Sequence, residues 1–317
     1  MKTAFVLSGG SIKGAFQAGA LEVVLARGKV PMFASSISVG SLNSIWLANE
    51  AGRAQLEQGK VDWPALGKKL TAFWTDQVRQ PSDLVDIKSW LHVGWDILWK
   101  QFEGLVSTDP LRKLVKDTIS PKWIKASPFG LQIGAVDYYT GKIKYYDKDD
   151  ADIVDHVMGS AAIPFAMPAS VTKAGKVLFD GGVRDVAPLK PAMKSGADEV
   201  IVIACQARNV LDDSDQKAAV NHRDFLKLAE RITDIMTNEI VNADIDYAEE
   251  INEIVRLGRE RDFAFTKGKT ERKIVVIRPL PDFVADITKF TSSDIQQMMN
   301  LGRKAAQAAL DSGAAAA

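Results

Sequence analysis

The sequence has 317 residues, of which 46% are hydrophobic and 25% charged, values that are ordinary for a soluble globular protein. Its 40 basic and 40 acidic side chains balance, so no global field favours nucleic acid. The single cysteine, Cys205, excludes an intrachain disulfide and fits a reducing compartment. No apolar run approaches the roughly 20 residues that span a bilayer, and the N-terminal run is too short for a signal peptide. We therefore expect a cytoplasmic protein.

The chain opens with a predicted strand, a glycine-rich loop and a helix. Thr3 to Leu7 is a short apolar run, and Ala15 to Ala26 has apolar residues at helical spacing. The loop between them reads Ser8-Gly-Gly-Ser-Ile-Lys-Gly14, where glycines permit a tight turn and leave amide N–H groups facing a ligand. Ser11 occupies the third glycine position of a dinucleotide fingerprint, and no phosphate-loop Gly-Lys-Ser/Thr follows. A cluster of amides that binds an oxyanion needs neither feature. Lys13 either helps to fix the loop or is a solvated lysine at a helix start.

A second strand, turn and helix follow, and the turn contains a candidate nucleophile. Small and apolar residues lead into Ser36-Ile-Ser-Val-Gly40, and Leu42 to Glu50 is helix-like. A sharp turn of this kind lifts its central residue, Ser38, above the sheet edge near a helix N-terminus. The positions two before and two after must be small, which Gly40 satisfies fully and Ser36 nearly. Because such short patterns also occur in ordinary loops, the motif alone leaves a plain turn open.

Strand and helix thus alternate, which predicts a parallel sheet. In such a sheet, loops at the carboxyl ends of neighbouring strands share one edge, where sites form. We therefore expect the glycine loop and Ser38 to face each other.

Residues 53–128 are predicted to be mostly helical and irregular, with a helix starting at Asp109-Pro110. A tryptophan-rich segment, residues 90–102, precedes that helix. Tryptophans favour surfaces with one apolar and one wet side, so this segment is either a lid facing lipid or ordinary packing against the sheet.

The next stretch contains a candidate base. Leu131 to Asp137 and Lys142 to Tyr146 form a predicted hairpin, and a short helix covers Ile153 to Met158. Lys176 to Phe179 is strand-like and ends in Asp180-Gly-Gly182. An aspartate on a Gly-Gly turn at a strand end is able to approach another loop closely, although a plain turn aspartate is the alternative.

The remaining pattern extends the same domain. Four further elements are predicted: a strand at Glu199 to Cys205, one helix or two broken near Asn242 over Arg223 to Leu257, a strand at Lys273 to Ile277, and a helix at Ser293 to Leu310. Ser292 or Ser293 is the expected N-cap of the last helix, and Cys205 is expected to be a small core residue. We expect a single domain over residues 1–312 and a tail over residues 313–317.

A serine hydroxyl needs a base to become a nucleophile. The three histidines, His92, His156 and His222, lie in poor contexts, since none of them ends a predicted strand. Asp180 does end one, on the edge expected for Ser38.

These residues carry a resemblance to a known family. The chain resembles the patatin-like acyl hydrolases, which are related to the catalytic domain of cytosolic phospholipase A2. The matching pieces occur in the family's order: Ser8-Gly-Gly-Ser-Ile-Lys-Gly-Ala-Phe-Gln-Ala-Gly19, Ser36-Ile-Ser-Val-Gly-Ser-Leu-Asn43, Ser160-Ala-Ala-Ile-Pro164 and Asp180-Gly-Gly182. The resemblance implies an α/β fold of three layers, α/β/α, with a mostly parallel central sheet.

The resemblance also implies a mechanism and a set of site residues. Ser38 would attack an ester carbonyl with Asp180 as general base and no histidine between them. The amides of Gly9, Gly10 and Ser11, with Val39 as a further candidate, would bind the oxyanion. The supporting motif positions are Lys13, Gly14, Ser36, Gly40, Gly181 and Gly182. No metal or cofactor is implied, the substrate is a lipid or another acyl ester, and peripheral contact with a membrane is expected.

Two departures from the family pattern bear on this expectation. Ser36 replaces the first glycine of the turn, and Ser11 replaces the third glycine of the loop, where it is expected to donate its N–H if its φ is negative. Two other functions stay open: a non-catalytic protein of this fold that binds lipid or a partner, and a thioesterase or transacylase that uses the same dyad. An intact Ser38 and Asp180 pair favours an enzyme.

Overall fold

The structure is a computed structural model, and it describes residues 1–89, 93, 96, 103–209, 225–261, 270–280 and 287–315. The strands in chain order are β1 (Thr3–Leu7), β2 (Pro31–Ile37), β3 (Asp86–Ile87), β4 (Val106–Ser107), β5 (Gly130–Asp137), β6 (Ile143–Asp147), β7 (Ser170–Val171), β8 (Val177–Asp180), β9 (Glu199–Ile203) and β10 (Lys273–Ile277). The α-helices are α1 (Gly14–Ala26), α2 (Val39–Gln58), α3 (Trp63–Gln77), α4 (Asp109–Thr118), α5 (Pro121–Lys125), α6 (Ile153–Ser160), α7 (Leu189–Lys194), α8 (Phe225–Glu260) and α9 (Ser292–Ala315).

The central sheet is mostly parallel. Its strand order is β10-β9-β1-β2-β5-β8-β7, and β6 also pairs with β5. The pairs from β10 to β5 are parallel, as the alternation of strands and helices predicts. By contrast, β6, β8 and β7 join the sheet in antiparallel orientation, and β3 and β4 form a separate antiparallel pair.

The sheet is covered by helices on both faces, as β1 illustrates. Every residue of β1 is buried. Phe5 and Leu7 belong to a hydrophobic cluster with residues of α1, α2, α3 and α9, whereas Ala4 and Val6 belong to another with residues of α7 and α8. Successive side chains of a strand point to opposite faces, so these clusters lie on opposite sides of the sheet. The fold is therefore the expected three-layer α/β/α arrangement.

Most element predictions are confirmed, including the hairpin of β5 and β6. The pattern from Arg223 to Leu257 forms one helix, α8, that is continuous past Asn242. The N-cap prediction was wrong, because Thr291 caps α9. Its Oγ1 accepts from the Asp294 N–H at 3.4 Å while the Asp294 carboxylate accepts from the Thr291 N–H at 2.8 Å. The helix α9 also runs into the segment expected to be a tail.

Two sequence predictions fall where the structure gives no description. Of the tryptophan-rich segment, only residues 93 and 96 are described. Both interpretations of that segment, a lid and core packing, therefore stay predictions. His92 and His222 also lie outside the described residues.

The pairing around β5 brings the site residues together. Ile37, the last residue of β2, pairs with Gly134 in parallel orientation. Asp180, the last residue of β8, pairs with the next residue, Ala135, in antiparallel orientation. Since β6 occupies the other edge of β5 at both positions, β2 and β8 lie on the same side and their carboxyl ends meet. The strands β2 and β8 therefore run toward each other along β5, and Asp180 meets the end of β2 head-on. The expected arrangement was two parallel neighbouring strands.

Candidate active site

Ser38 lies in a sharp turn between β2 and α2. Its backbone has φ 53° and ψ −126°, and a positive φ is uncommon for a residue other than glycine. Its carbonyl accepts hydrogen bonds from the N–H groups of Ser41 at 2.9 Å and Leu42 at 3.3 Å, which starts α2 at once. The predicted strand, turn and helix are confirmed, and Ser38 is buried at their junction.

The small residues on either side of Ser38 have direct steric reasons. A Cβ atom on Gly40 would lie 2.3 Å from the carbonyl oxygen of Leu7, at the end of β1, so no side chain fits there. Ser36 is fully buried, and its Oγ lies 2.6 Å from the Oγ of Ser44. This partner satisfies the hydroxyl that a glycine would lack, so the departure at position 36 leaves no unpaired polar group.

Asp180 is held beside Ser38 by its own turn. Its Oδ1 accepts a hydrogen bond from the Gly182 N–H at 2.7 Å, and the Ser38 hydroxyl lies close enough to its carboxylate to lower the pKa of that group. The Asp180 N–H donates to the Ala162 carbonyl at 2.9 Å. Both the backbone and the side chain of Asp180 are therefore fixed, which is more than a plain turn aspartate requires.

Burial changes the acidity of Asp180. It raises the pKa of this carboxyl to about 6, although hydrogen bonds from Ser38 and Gly182 act in the opposite direction. A carboxyl with this pKa is ionised at neutral pH and is a stronger base than an exposed aspartate. It is therefore suited to accept the proton of the neighbouring Ser38 hydroxyl.

The glycine loop faces Ser38, as expected. A Cβ atom on Gly9 would lie only 3.3 Å from the Ser38 Cβ. The Gly9 N–H, however, donates to the Val186 carbonyl at 3.0 Å, so this amide is committed elsewhere. Within the described part of the chain, the N–H groups of Gly10 and Ser11 make no hydrogen bond. These two amides are the ones left to face a ligand.

The loop is shaped by what lies beneath it. A Cβ atom on Gly10 would lie 2.3 Å from the Cys205 Cβ, so the loop passes directly over this cysteine. Ser11 has φ 51°, which does not meet the expectation of a negative φ and is a conformation that glycine adopts more readily. Lys13 is only 6% exposed, which excludes the solvated alternative.

The other motif glycines pack closely as well. A Cβ atom on Gly14 would lie 2.1 Å from Val39, and one on Gly181 would lie 2.7 Å from the Gly134 carbonyl oxygen. The first contact joins the glycine loop to the start of α2, and the second joins the turn after Asp180 to β5. The N–H of Gly182 donates the hydrogen bond that the Asp180 carboxylate accepts.

The described histidine and the cysteine have structural surroundings. His156 is buried and stacks on Tyr146 with ring centroids 3.7 Å apart, and burial lowers its pKa. Cys205 is fully buried, and burial raises the pKa of its thiol to about 12, which confirms it as a core residue rather than a reactive thiol.

Ser160 also lies at this site, although the sequence indicated it only as the first residue of a motif. Ser160, at the end of α6, is fully buried, and its Oγ accepts a hydrogen bond from the Ser38 N–H at 2.9 Å. The signal in the sequence was its place in Ser160-Ala-Ala-Ile-Pro164, which gave no role for the hydroxyl.

An apolar pocket opens at Ser38 and Ser11. It is lined largely by residues of α2, α3 and α4, together with residues from the loops around positions 84–85 and 161–167. Its apolar lining includes Leu42, Trp46, Phe73, Leu111 and Leu114. A pocket of this character accepts a hydrocarbon chain better than a polar group.

The described residues contain no group of three or more His, Cys, Asp or Glu side chains that could hold a metal ion. Among the helices in that same part of the chain, none is long and apolar enough to cross a membrane.

The fold and the site together define an α/β protein in which a buried serine and aspartate meet beside a glycine loop, at an apolar pocket. Comparison with protein families gives a match to the patatin-like phospholipase model over residues 5–193, and the chain belongs to this family. Membership supports the hydrolysis of lipid esters at the level of the family. No curated protein matches the sequence.

Two solved structures are similar to this chain. VipD from Legionella pneumophila is 15% identical, with a TM-score of 0.44, over 98% of this chain and 67% of that one. The type III effector protein ExoU is 10% identical, with a TM-score of 0.34, over 98% of this chain and 53% of that one. The chain thus spans about half the length of ExoU. At these scores the two likenesses carry no argument about the site.

Proposed function

We propose that this protein is a serine acyl hydrolase, of the lipase, phospholipase A or lysophospholipase type, that cleaves carboxylic esters of lipids with Ser38 as nucleophile and Asp180 as general base. The observation that carries the proposal is the approach of the Ser38 hydroxyl to the buried Asp180 carboxylate, which is close enough to lower the pKa of that carboxyl. Two strand ends that meet head-on hold this pair together.

The first half of the reaction forms an acyl-enzyme. Asp180 takes the hydroxyl proton as the Ser38 Oγ attacks the ester carbonyl carbon, which gives a tetrahedral intermediate. When the intermediate collapses, the bond to the alcohol oxygen breaks, and Asp180 returns the proton to that oxygen. In the second half, Asp180 takes a proton from water, the hydroxide attacks the acyl carbonyl, and the fatty acid leaves as Ser38 regains its proton.

The developing oxyanion needs hydrogen-bond donors. Of the three loop amides expected from the family, the Gly9 amide is bonded to Val186, so we assign this role to Gly10 and Ser11. Ser11 keeps the role although its φ is positive, because its N–H makes no hydrogen bond among the described residues. Val39 is the first residue of α2, so its N–H lies at the positive end of that helix and is a third candidate. Donors fixed in place before the reaction stabilise the charge without reorganising.

The pocket supports a lipid acyl chain as the group that is transferred. It begins at Ser38, so a chain attached to the attacked carbonyl enters it directly. Burying each methylene there contributes about 0.8 kcal/mol to binding. The alcohol part of the substrate would stay on the outer side of Ser38.

Two other functions, lipid binding without catalysis and acyl transfer from or to another group, would use the site differently. A protein that only binds lipid has no need for an ionisable carboxyl whose burial works against folding near neutral pH. A thioesterase or transacylase would use the same acyl-enzyme, with another leaving group or acceptor. It would differ in rates with thioesters and with added alcohols.

The test is release of fatty acid from a long-chain phospholipid, a lysophospholipid and an acyl thioester, using the parent and Ser38→Ala. We expect ester cleavage by the parent and its loss in the variant, with unchanged thermal melting. Binding of lipid vesicles without release of fatty acid would contradict an enzyme. Faster cleavage of the thioester than of both esters would favour the thioesterase.

A further inference from the structure

Ser160 is placed at the centre of the turn that presents Ser38. It is the last residue of α6 and is fully buried. The fold brings it to the site from 122 positions along the chain.

Three groups converge on the Ser160 hydroxyl. Its Oγ donates to the Gly134 carbonyl at 2.6 Å. The same oxygen accepts from the Ser38 N–H at 2.9 Å and lies 2.9 Å from the Oγ of Ser41. With its donor used by Gly134, Ser160 is the acceptor in the contact with Ser41.

We propose that Ser160 is a positioning residue, which holds the backbone of Ser38 so that its hydroxyl stays on the Asp180 carboxylate. This proposal rests on the proposed function of the Ser38 and Asp180 pair.

The first reason is the conformation of Ser38. A serine with φ 53° is held against its own preference, and such a conformation persists only where the surroundings impose it. The bond to Ser160 fixes the peptide immediately before the Ser38 Cα, and it is therefore one of the contacts that impose this φ.

The second reason is that the same hydroxyl is anchored to the strand that positions Asp180. Gly134 accepts from Ser160, and the next residue, Ala135, pairs with Asp180. Ser160 thus links the nucleophile and the base through one residue step of β5. Because its N–H is used in this way, Ser38 is not itself a donor to the oxyanion.

The experiment compares Ser160→Ala with Ser35→Ala. Ser35 is a matched control, since it is a fully buried serine on β2 whose hydroxyl donates to the Pro188 carbonyl at 2.7 Å, away from the pair. Both variants lose a buried serine-to-carbonyl bond, so both are expected to melt at a lower temperature. With a short soluble ester, we expect kcat to fall about 10- to 100-fold in Ser160→Ala, with KM within about threefold. We expect kcat in Ser35→Ala to stay within about threefold.

The pH dependence gives a readout that a loss of stability alone would not move. The bond from Ser38 lowers the pKa of Asp180, so releasing it should shift the acid limb of kcat to higher pH in Ser160→Ala but not in Ser35→Ala. Titratable groups on the neighbouring elements are engaged elsewhere. Asp137 of β5 bonds to Lys144, Asp185 of the following loop bonds to Tyr145, and His156 of α6 stacks on Tyr146.

Ser160→Cys covers the case in which Ser160→Ala does not fold, because sulfur fills the site but is a weaker acceptor. It should show the same loss of kcat and the same shift, in smaller degree. The proposal is overturned by a folded variant at position 160 with kcat within threefold of the parent, or by a loss of kcat with an unmoved acid limb. A parent with no esterase activity would instead contradict the proposed function.

Discussion

The two turns that meet at the site are held by different means. The serine elbow, residues 36–44, is supported by hydroxyl groups: Ser44 bonds to Ser36, and Ser160 bonds to Ser38. The glycine loop, residues 8–14, is held by bonds inside the family match, such as that from Gly9 to Val186, and also by groups beyond the end of the match. The Cys205 N–H donates to the Ser8 Oγ at 2.9 Å, and the Gln206 side chain donates to the Gly9 carbonyl at 3.1 Å.

The difference separates two regions of the chain, residues 5–193 and the residues that follow them. The matched region carries the proposed nucleophile and base together with their immediate support. The strand β9 and the residues after it help to hold the glycine loop against the sheet. Changes on the elbow side should therefore alter proton transfer, whereas changes under the loop should alter oxyanion binding and leave the pKa of the base untouched.

The largest effect is expected from Asp180→Asn. Asparagine keeps the bond from Gly182 but cannot accept the Ser38 proton, so kcat should fall at least ~10²-fold with a soluble ester. Asp149→Asn, at an exposed aspartate, is the control and should be silent. Near-normal turnover in a folded Asp180→Asn would show that Asp180 is not the general base.

A smaller effect is expected from Gln206→Ala, which removes one of the two hydrogen bonds that the Gly9 carbonyl accepts, the other coming from the Ser8 hydroxyl. A loop displaced by a few tenths of an ångström holds the oxyanion less well, so kcat should fall about 10- to 30-fold. The acid limb of the pH profile should stay where it is in the parent. Gln132→Ala, which removes only a bond to Asp147 at the surface, is the matched control. A shift of the acid limb in the kcat profile of Gln206→Ala would show that the glycine loop also affects the pKa of Asp180.

Replacing His92, His156 and His222 together should change kcat by less than about tenfold, or about 1.4 kcal/mol of barrier. The reason is that the Asp180 carboxylate lies beside the Ser38 hydroxyl, while His156, the histidine among the described residues, stacks on Tyr146. Melting curves check that the triple variant folds. A loss as large as that of Ser38→Ala would restore a triad with histidine as the base.

The smallest effect concerns stability. Burial raises the pKa of Asp180 to about 6, so the folded state binds its proton more tightly than the unfolded chain does. The stability that this proton gives is complete below the ordinary pKa near 3.8 and is lost as the pH rises through 6. Asp180→Asn never ionises, so it should be more stable than the parent at pH 8, by on the order of 2 kcal/mol, and by less at pH 4. Equal differences at both pH values would contradict the buried carboxylate.

Much of the fold, and the positions of Ser38 and Asp180 at strand ends that meet, could be predicted because the evidence for them is local. Strand periodicity identified β1, β5 and β9, and the turns at Ser38 and Asp180 each follow directly from a strand. What could not be predicted depends on distant partners. The bond from Gly9 to Val186, the cysteine beneath Gly10 and the role of the Ser160 hydroxyl all arise from tertiary contacts.

The orientation of β8 shows the same limit. Its sequence indicated a strand that ends in Asp180, but a strand of four residues gives no indication of parallel or antiparallel pairing. The aspartate was expected at the correct edge, and the head-on approach to β2 became visible only from the pairing with β5.

The most direct test of the account is labelling of the parent protein with a fluorophosphonate probe, followed by peptide mapping of the modified residue. Such a probe reacts with a serine only where a base and an oxyanion site activate it. We expect one modified residue, Ser38, and slower labelling below about pH 6, where Asp180 is protonated. A label on Ser8, Ser11 or Ser160, or no label on the folded protein, would contradict the assignment of Ser38 as the nucleophile.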